Sequence, residues 1–167
     1  MTVLLRVVFT ASAVGFAWIF AASQLVDQTR LPVGAVVEGA VLTQPFGCTT
    51  LDLEPFDPLC PSRHVHTGVD LASPAGTLVS SATTGVAHVG YDPSGAGLFV
   101  AVNFGAHVRV LYCHLFTVAV RSGQTVEPGQ AIGTVGASGL ATGPHLHFEI
   151  QVDGRSVDPV RWLSTSP

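Results

Sequence analysis

The sequence predicts an all-β fold of antiparallel sheets in a single domain, preceded by one N-terminal hydrophobic helix. The 167 residues include 18 Gly and 11 Pro, so the hydrophobic 47% of the chain is divided into short segments. No window of ten or more residues after position 30 keeps a helical period. About 140 residues follow the N-terminal segment, which is enough for one hydrophobic core and too few for two.

The N-terminal segment predicts export from the cytoplasm. Arg6 is followed by an uncharged, largely apolar run over residues 7–26. Residues 1–26 are therefore either a signal peptide, cleaved near Ala21, Ala22 and Ser23, or a signal anchor that spans the membrane. A buried core helix is a third interpretation. Because the positive charge of Arg6 marks the cytoplasmic side, both the signal-peptide and the anchor interpretations place the rest of the chain outside the cytoplasm. Residues 27–38 follow as a linker.

The strand candidates, the first of which overlaps the end of the linker, are short and closely spaced, and turn-forming residues separate them. Clear turn signals are Asp-Pro-Ser-Gly at 92–95, Glu-Pro-Gly at 127–129 and Gly-Ala-Ser-Gly at 136–139. This spacing is typical of antiparallel sheets. The predicted strands cover residues 35–42, 78–80, 85–89, 98–103, 108–115, 131–135 and 145–152.

The charge composition excludes several classes of function. All seven cationic residues are Arg, and 11 acidic residues give a formal net charge of −4. A nucleic-acid surface and a phosphate-binding loop with its lysine are therefore not expected. Residues 126–139 have the outline of a biotinyl or lipoyl carrier hairpin, but that function needs an acceptor lysine and the chain has none.

The cysteines agree with export. Cys48 and Cys60 bracket a segment with no regular pattern, so we expect a disulfide to hold this loop. Cys113 is the third cysteine. It lies in a strand-like run beside His114, and strict alternation along that run would point its thiol away from His114 and into the core.

Two histidines share one face of the last predicted strand. Along residues 145–152 the apolar side chains occupy alternate positions, which leaves His145 and His147 together on the polar face. Residues two apart on a strand are about 6.5 Å from each other, so both imidazoles can reach one centre. The alternative is a solvated polar face with no site.

A second cluster, between His64 and Asp70, contains ligand types suited to zinc. In a straight strand, the Cα atoms of His66 and Asp70 would be roughly 13 Å apart, too far to share one ion. Gly68 permits the bend that would bring them together. His66, Asp70 and one histidine of the last strand would then leave a fourth position for water, as in catalytic zinc sites. His64 is an alternative to His66.

A third candidate is His114. Even-numbered positions of the run 108–114 share one face, so we expect Tyr112 and His114 to emerge beside each other at the strand end. A histidine at that position can reach a cleft. An ordinary half-buried histidine is the competing interpretation.

These three segments together resemble the signatures of peptidase family M23, the LytM or lysostaphin-type zinc endopeptidases. The matching motifs are His-Thr-Gly-Val-Asp at 66–70, Tyr-Cys-His-Leu at 112–115 and Thr-Gly-Pro-His-Leu-His-Phe-Glu at 142–149. Flanking segments extend the resemblance over about residues 39–163, the expected peptidase domain, with 164–167 as a tail. The departures are Cys113, where a small residue is usual, and the insertion-like loop between Cys48 and Cys60.

The resemblance implies a role for each site residue. His66, Asp70 and His147 would hold Zn²⁺, with water in the fourth position. His114 and His145 would be the catalytic pair: one takes a proton from the attacking water, and the other stabilises the oxyanion or protonates the leaving amine. The sheet would floor a groove walled by the 48–60 loop and by residues 91–97 and 136–142.

The function implied is that of a zinc metalloendopeptidase that hydrolyses peptide cross-links or stem peptides of bacterial peptidoglycan. We expect a monomer outside the cytoplasm, facing the cell wall, either secreted or held to the membrane by an uncleaved N-terminal segment, with no nucleic-acid partner. The alternative is a non-catalytic LytM-like regulator of cell-wall amidases or a structural domain. Such proteins typically lack one or more ligands, whereas all five residues of the site are present here.

Overall fold

A computed structural model describes residues 32–165, so the predicted N-terminal helix lies outside the described residues. Within 32–165, no helix is both long and apolar enough to cross a membrane. Strands predominate, and both helices of this part of the chain are short. The elements are α1 (Val33–Val36), β1 (Val41–Gln44), β2 (Gly47–Thr49), β3 (His64–His66), β4 (Val69–Ala72), β5 (Leu78–Ser80), β6 (Gly85–Asp92), β7 (Gly97–Phe104), β8 (Val108–Cys113), β9 (Leu115–Val118), β10 (Thr125–Val126), β11 (Ala131–Val135), β12 (His145–Val152), β13 (Arg155–Val157) and α2 (Pro159–Ser164).

The strands form one large sheet, one small sheet and a ribbon, and all of their pairings are antiparallel. The eight-stranded sheet has the order β1-β4-β12-β8-β7-β6-β10, with β13 paired to the end of β12. The small sheet has the order β5-β11-β9, and β2 pairs with β3 as a separate ribbon. The predicted all-β, antiparallel class is confirmed.

The hydrophobic core draws on both sheets. Leu146, Phe148 and Ile150 of β12 are fully buried on one face of the large sheet, and Ile132 and Val135 of the small sheet belong to the same cluster. Because side chains alternate along a strand, burial of the even positions of β12 leaves its odd positions on the opposite face. That opposite face carries His145 and His147, as predicted.

Most of the predicted strands exist, and three of them, 78–80, 131–135 and 145–152, have the predicted bounds. The strand predicted over 35–42 is wrong. Val36 lies in α1 and is buried with Val37, and the strand begins only at Val41. Gly39 has φ of +73°, a turn conformation that glycine adopts readily, so the chain reverses direction before the strand begins.

The strand predicted over 108–115 is interrupted at His114, which has φ of +61°. This left-handed residue breaks the alternation of side chains, and two predictions made from that alternation are wrong. Tyr112 does not emerge beside His114 but is fully buried, where its hydroxyl accepts the N–H of Ala82. Cys113 is buried, as expected, but it lies on the site face, directly opposite His147 in the sheet register.

Candidate active site

Three side chains predicted as metal ligands meet at one point. His66 Nε2 lies 3.1 Å from Asp70 Oδ1 and 3.0 Å from His147 Nδ1, and His147 Nδ1 lies 3.1 Å from Asp70 Oδ1. The three atoms therefore form a nearly equilateral triangle. Within residues 32–165, this is the one group of three or more potential ligands placed to hold a metal ion.

The sheet register explains how distant parts of the sequence converge here. Strands β4 and β12 are paired so that Asp70 stands directly opposite His147. The ribbon strand β3 ends at His66, and the chain bends at Thr67 and Gly68 before β4 begins. The predicted bend at Gly68 is present, and a Cβ atom on this residue would lie 2.4 Å from the carbonyl oxygen of Phe148, so the position has no room for a side chain.

The donor set fits zinc. Two imidazole nitrogens and one carboxylate oxygen are common zinc ligands, and bonds of about 2.0–2.1 Å in a tetrahedron place such atoms about 3.3 Å apart. The observed sides of 3.0 to 3.1 Å are close to that spacing. His66 Nδ1 lies 3.0 Å from the carbonyl oxygen of Pro45, an acceptor that requires the ring proton on Nδ1 and leaves the Nε2 lone pair for a metal.

The electrostatics of the triad also suit a cation. Burial would raise the pKa of the Asp70 carboxyl, but hydrogen bonds and Coulombic attraction from His147 and His66 outweigh it and hold that pKa well below its usual range. Burial would lower the pKa of His147, but Asp70 and Glu149 outweigh it and raise that pKa to about 9. The site therefore holds a positive charge next to the two carboxylates even without a metal.

The two predicted catalytic histidines lie beside the triad. Their ring centroids are 4.8 Å apart, and His145 Nε2 is 3.7 Å from Asp70 Oδ1. His114 Nδ1 lies 2.8 Å from the carbonyl oxygen of Ser138, and His145 Nδ1 lies 2.8 Å from that of Gly143. Both carbonyls require a proton on Nδ1, so each neutral ring carries its lone pair on Nε2.

His114 is a neutral base at physiological pH. Burial lowers the pKa of His114 to about 4, and the neighbouring His145 and His147 act in the same direction, although the hydrogen bond to Ser138 opposes them. A neutral imidazole with a free Nε2 can accept a proton. The positive φ of His114 turns this ring to the site face, although Tyr112 two residues before it is in the core.

A groove of about 400 Å³ is lined by four of the five residues, namely Asp70, His114, His145 and His147, whereas His66 is fully buried beneath it. Its walls come from the three loops named from the resemblance, namely 48–60, 91–97 and 136–142. The predicted disulfide between Cys48 and Cys60 is present and closes the first of these loops. The three loops contribute the following residues to the lining of the groove: Leu51, Leu53, Glu54, Pro55, Ser94, Gly95, Ala96, Leu140, Ala141 and Thr142.

The structure thus brings all five predicted site residues together and excludes His64 from the cluster. His64 Nδ1 contacts the carbonyl oxygen of Glu54 at 2.7 Å, and its Nε2 lies 3.7 Å from Asp52. Glu149 has no predicted role, yet its carboxylate lies 3.6 Å from His147 Nε2. The sequence feature that could have indicated this contact is the position of Glu149 two residues after His147, on the same face of the strand.

Comparisons with known proteins agree with this geometry. Residues 64–159 match the model of peptidase family M23. A DD-carboxypeptidase/endopeptidase of Neisseria meningitidis is 35% identical over 126 residues, which are 75% of this chain and 28% of that protein. A peptidoglycan DD-endopeptidase of Vibrio cholerae is 40% identical over 96 residues, which are 58% of this chain and 22% of that protein. The chain therefore spans less than a third of the length of these two curated relatives.

Two solved structures share the fold. A zinc-containing peptidase from Vibrio cholerae superposes with a TM-score of 0.65 at 30% identity, covering 78% of this chain and 40% of that one. The catalytic domain of lysostaphin from Staphylococcus simulans gives a TM-score of 0.63 at 27% identity, covering 75% of this chain and 93% of that one. With more than half of its length matched by the family model, the chain belongs to peptidase family M23.

Proposed function

We propose that this protein is a zinc-dependent endopeptidase that hydrolyses peptide bonds of bacterial peptidoglycan. The observation that carries the proposal is the convergence of His66, Asp70 and His147 within 3.1 Å of one another, next to two histidines with free Nε2 atoms. Three protein ligands leave a fourth position open, as catalytic rather than structural zinc sites do. A non-catalytic regulator would not need this complete set.

Each residue has a separate task in the proposed reaction. Zinc held by three protein ligands acts as a Lewis acid and makes water nucleophilic near neutral pH. His114 and His145 form the proton-transfer pair: the Nε2 atom of one accepts the proton of the attacking water, and the other stabilises the oxyanion or protonates the leaving amine. Asp70 and His147 hold their positions through the β4–β12 pairing.

The groove supports an extended peptide as the substrate. Its walls combine small residues, such as Ala96 and Ala141, with a few larger apolar side chains, such as Leu53 and Leu140. A groove lined by small and apolar side chains suits an extended peptide with small side chains. The relative named a DD-carboxypeptidase/endopeptidase favours a bond of the D,D-cross-link as the one cleaved.

The substrate also fixes the compartment that we propose. Peptidoglycan lies outside the cytoplasm, and the Cys48–Cys60 disulfide suits an oxidising environment. Residues 1–26, which lie outside the described residues, would deliver the domain there as a signal peptide or an anchor. We favour the anchor, because a tether would keep the domain close to its substrate.

The test is digestion of purified cell walls by the full chain, followed by mass analysis of the released muropeptides. Each cross-linked dimer should convert to two monomers whose summed mass exceeds that of the dimer by one water. The double variant His114→Ala with His145→Ala is the matched control and should leave the dimers intact. Unchanged dimers with the zinc-loaded wild-type protein, on walls of both Gly-Gly and D-Ala cross-link types, would reject the proposal.

Membrane fractionation with N-terminal sequencing decides how the protein is retained. An anchored protein sediments with membranes and keeps its original N-terminus. A soluble protein whose sequence starts near Gln24 would instead show that the signal is cleaved, which would make the enzyme a secreted hydrolase.

A further inference from the structure

His147 differs from the other three histidines of the site in how its ring is held. His66, His114 and His145 each direct Nδ1 at a backbone carbonyl oxygen, at 3.0, 2.8 and 2.8 Å respectively. His147 instead turns Nδ1 toward the metal position, and its Nε2 lies 3.6 Å from a carboxylate oxygen of Glu149. Its proton must therefore reside on Nε2 for Nδ1 to serve as a ligand.

Glu149 is itself buried and firmly held. The residue is 8% exposed, and its Oε1 accepts hydrogen bonds of 2.7 Å from both Gln151 Nε2 and Ser156 Oγ. Its Oε2, the oxygen that faces His147, accepts a hydrogen bond of 3.0 Å from Thr67 Oγ1. A carboxylate with three donors from three segments has one defined orientation.

The hydrogen bond from Thr67 links the two ligand motifs of the site. Thr67 follows His66 directly in the chain, and Glu149 follows His147 by two residues on the same face of β12. Burial of an isolated carboxylate is costly, so a partner of opposite charge is required. Asp70 and Glu149 together supply two negative charges, which a divalent cation at the triad would neutralise.

We infer that Glu149 is a positioning residue for the metal site: its carboxylate holds the proton of His147 on Nε2 and so presents the Nδ1 lone pair to zinc. This inference rests on the proposed metal site but not on any particular substrate. Carboxylates in this position behind a metal-binding histidine typically raise metal affinity 10- to 100-fold. The expected contribution of Glu149 is in that range.

The first test is zinc affinity, measured by competition with a chromophoric chelator on the full chain. Glu149→Gln keeps the size of the side chain and removes its charge, and we expect it to bind zinc about 10- to 100-fold more weakly than the wild type. An affinity within twofold of the wild type would overturn the inference.

The chain offers a matched control for this variant. His107 Nδ1 and Asp153 Oδ1 form another histidine–carboxylate pair at 2.6 Å, and both side chains are about 70% exposed. Asp153→Asn removes a carboxylate from beside a histidine that belongs to no ligand cluster, so zinc affinity should not change. A loss equal to that of Glu149→Gln would show an effect of net charge alone and would reject the positioning role.

A measurement on the wild-type protein keeps the inference testable even if Glu149→Gln fails to fold. Nitrogen-15 NMR of the zinc-loaded protein should show His147 ligated through Nδ1 and protonated at Nε2, with slow exchange of that proton. A structural role of Glu149 alone would not specify this tautomer. Ligation through Nε2 would refute the inference, whereas failure of the wall-digestion experiment would leave both measurements unaffected.

Discussion

The site has two proposed halves whose side chains are oriented by different parts of the fold: a metal-binding half of His66, Asp70 and His147, and a proton-transfer half of His114 and His145. Asp70 and His147 stand opposite each other on paired central strands, and the ribbon strand β3 supplies His66. His114 and His145 instead take their orientation from the backbone carbonyls of the 136–143 segment. Sheet register fixes the first half, and loop conformation fixes the second.

The two halves also differ in charge. Carboxylates of Asp70 and Glu149 surround His147 and raise its pKa to about 9 against the effect of burial. Burial lowers the pKa of His114 to about 4, and the hydrogen bond to Ser138 and the charge of Asp70 only partly oppose this effect. One half therefore attracts a cation and the other keeps a neutral base, which implies that mutations can separate metal binding from proton transfer.

The sharpest test of this comparison removes one histidine from each half. His147→Ala should lose both zinc and activity, whereas His114→Ala and His145→Ala should each retain one zinc per chain and lose about 10²- to 10⁴-fold in kcat. Metal analysis of the purified variants and their rates on isolated walls provide the measurements. If His145→Ala loses zinc and His147→Ala keeps it, the two assigned roles are reversed.

Sequence patterns predicted that these five residues lie together, because the prediction depends on residue type and on side-chain alternation. The His145–His147 face follows directly from alternation along an eight-residue strand with a continuous apolar face. The short strands β2, β3 and β4, of three or four residues each, were not predicted. Three or four residues show little alternation, so strands of this length are predicted only in some cases, as β5 was.

Features that depend on a single backbone angle or on strand register could not be predicted from the sequence. The left-handed conformation of His114 reverses the expected faces of Tyr112 and Cys113, and nothing in the residue types at 112–115 indicates it. The ion-pair contact between His147 and Glu149 joins residues of one strand. Thr67, which donates a hydrogen bond to Glu149, is 82 positions away from it in the sequence. Only the pairing of β4 with β12 brings them together.

The disulfide stabilises the ribbon that carries His66, one residue of the metal-binding half. It joins Cys48 of β2 to the end of the 48–60 loop, and β2 pairs with the strand that ends at His66. In the loop-entropy model, replacing both cysteines with serine should lower the free energy of unfolding by about 3 kcal/mol. Denaturant titration checks this, with Cys113→Ala as the control that keeps the disulfide. Equal midpoints for the double variant and the wild type would contradict it.

A pH series of zinc affinity distinguishes the two halves without mutation. Below pH 9 the metal-free protein carries a proton on His147 that zinc must displace, so apparent affinity should rise about tenfold per pH unit, or roughly 100-fold from pH 7 to 9. His114, with a pKa of about 4, is already neutral there and adds nothing to the slope. His114→Ala should therefore keep the wild-type slope. A flat profile between pH 7 and 9 would contradict the raised pKa of His147.

Cys113 gives the smallest expected effect, because it lies on the site face without belonging to either half. It stands opposite His147 in the register and lines the groove, so its sulfur is a conceivable zinc ligand. Zinc binds the thiolate, however, and burial, with Glu149 adding to it, raises the pKa of the Cys113 thiol to about 12. Cys113→Ala should therefore leave zinc affinity unchanged and lower the free energy of unfolding by about 1 kcal/mol. A tenfold loss of zinc affinity in this variant would instead make Cys113 a fourth ligand, and the site would then be closed rather than catalytic.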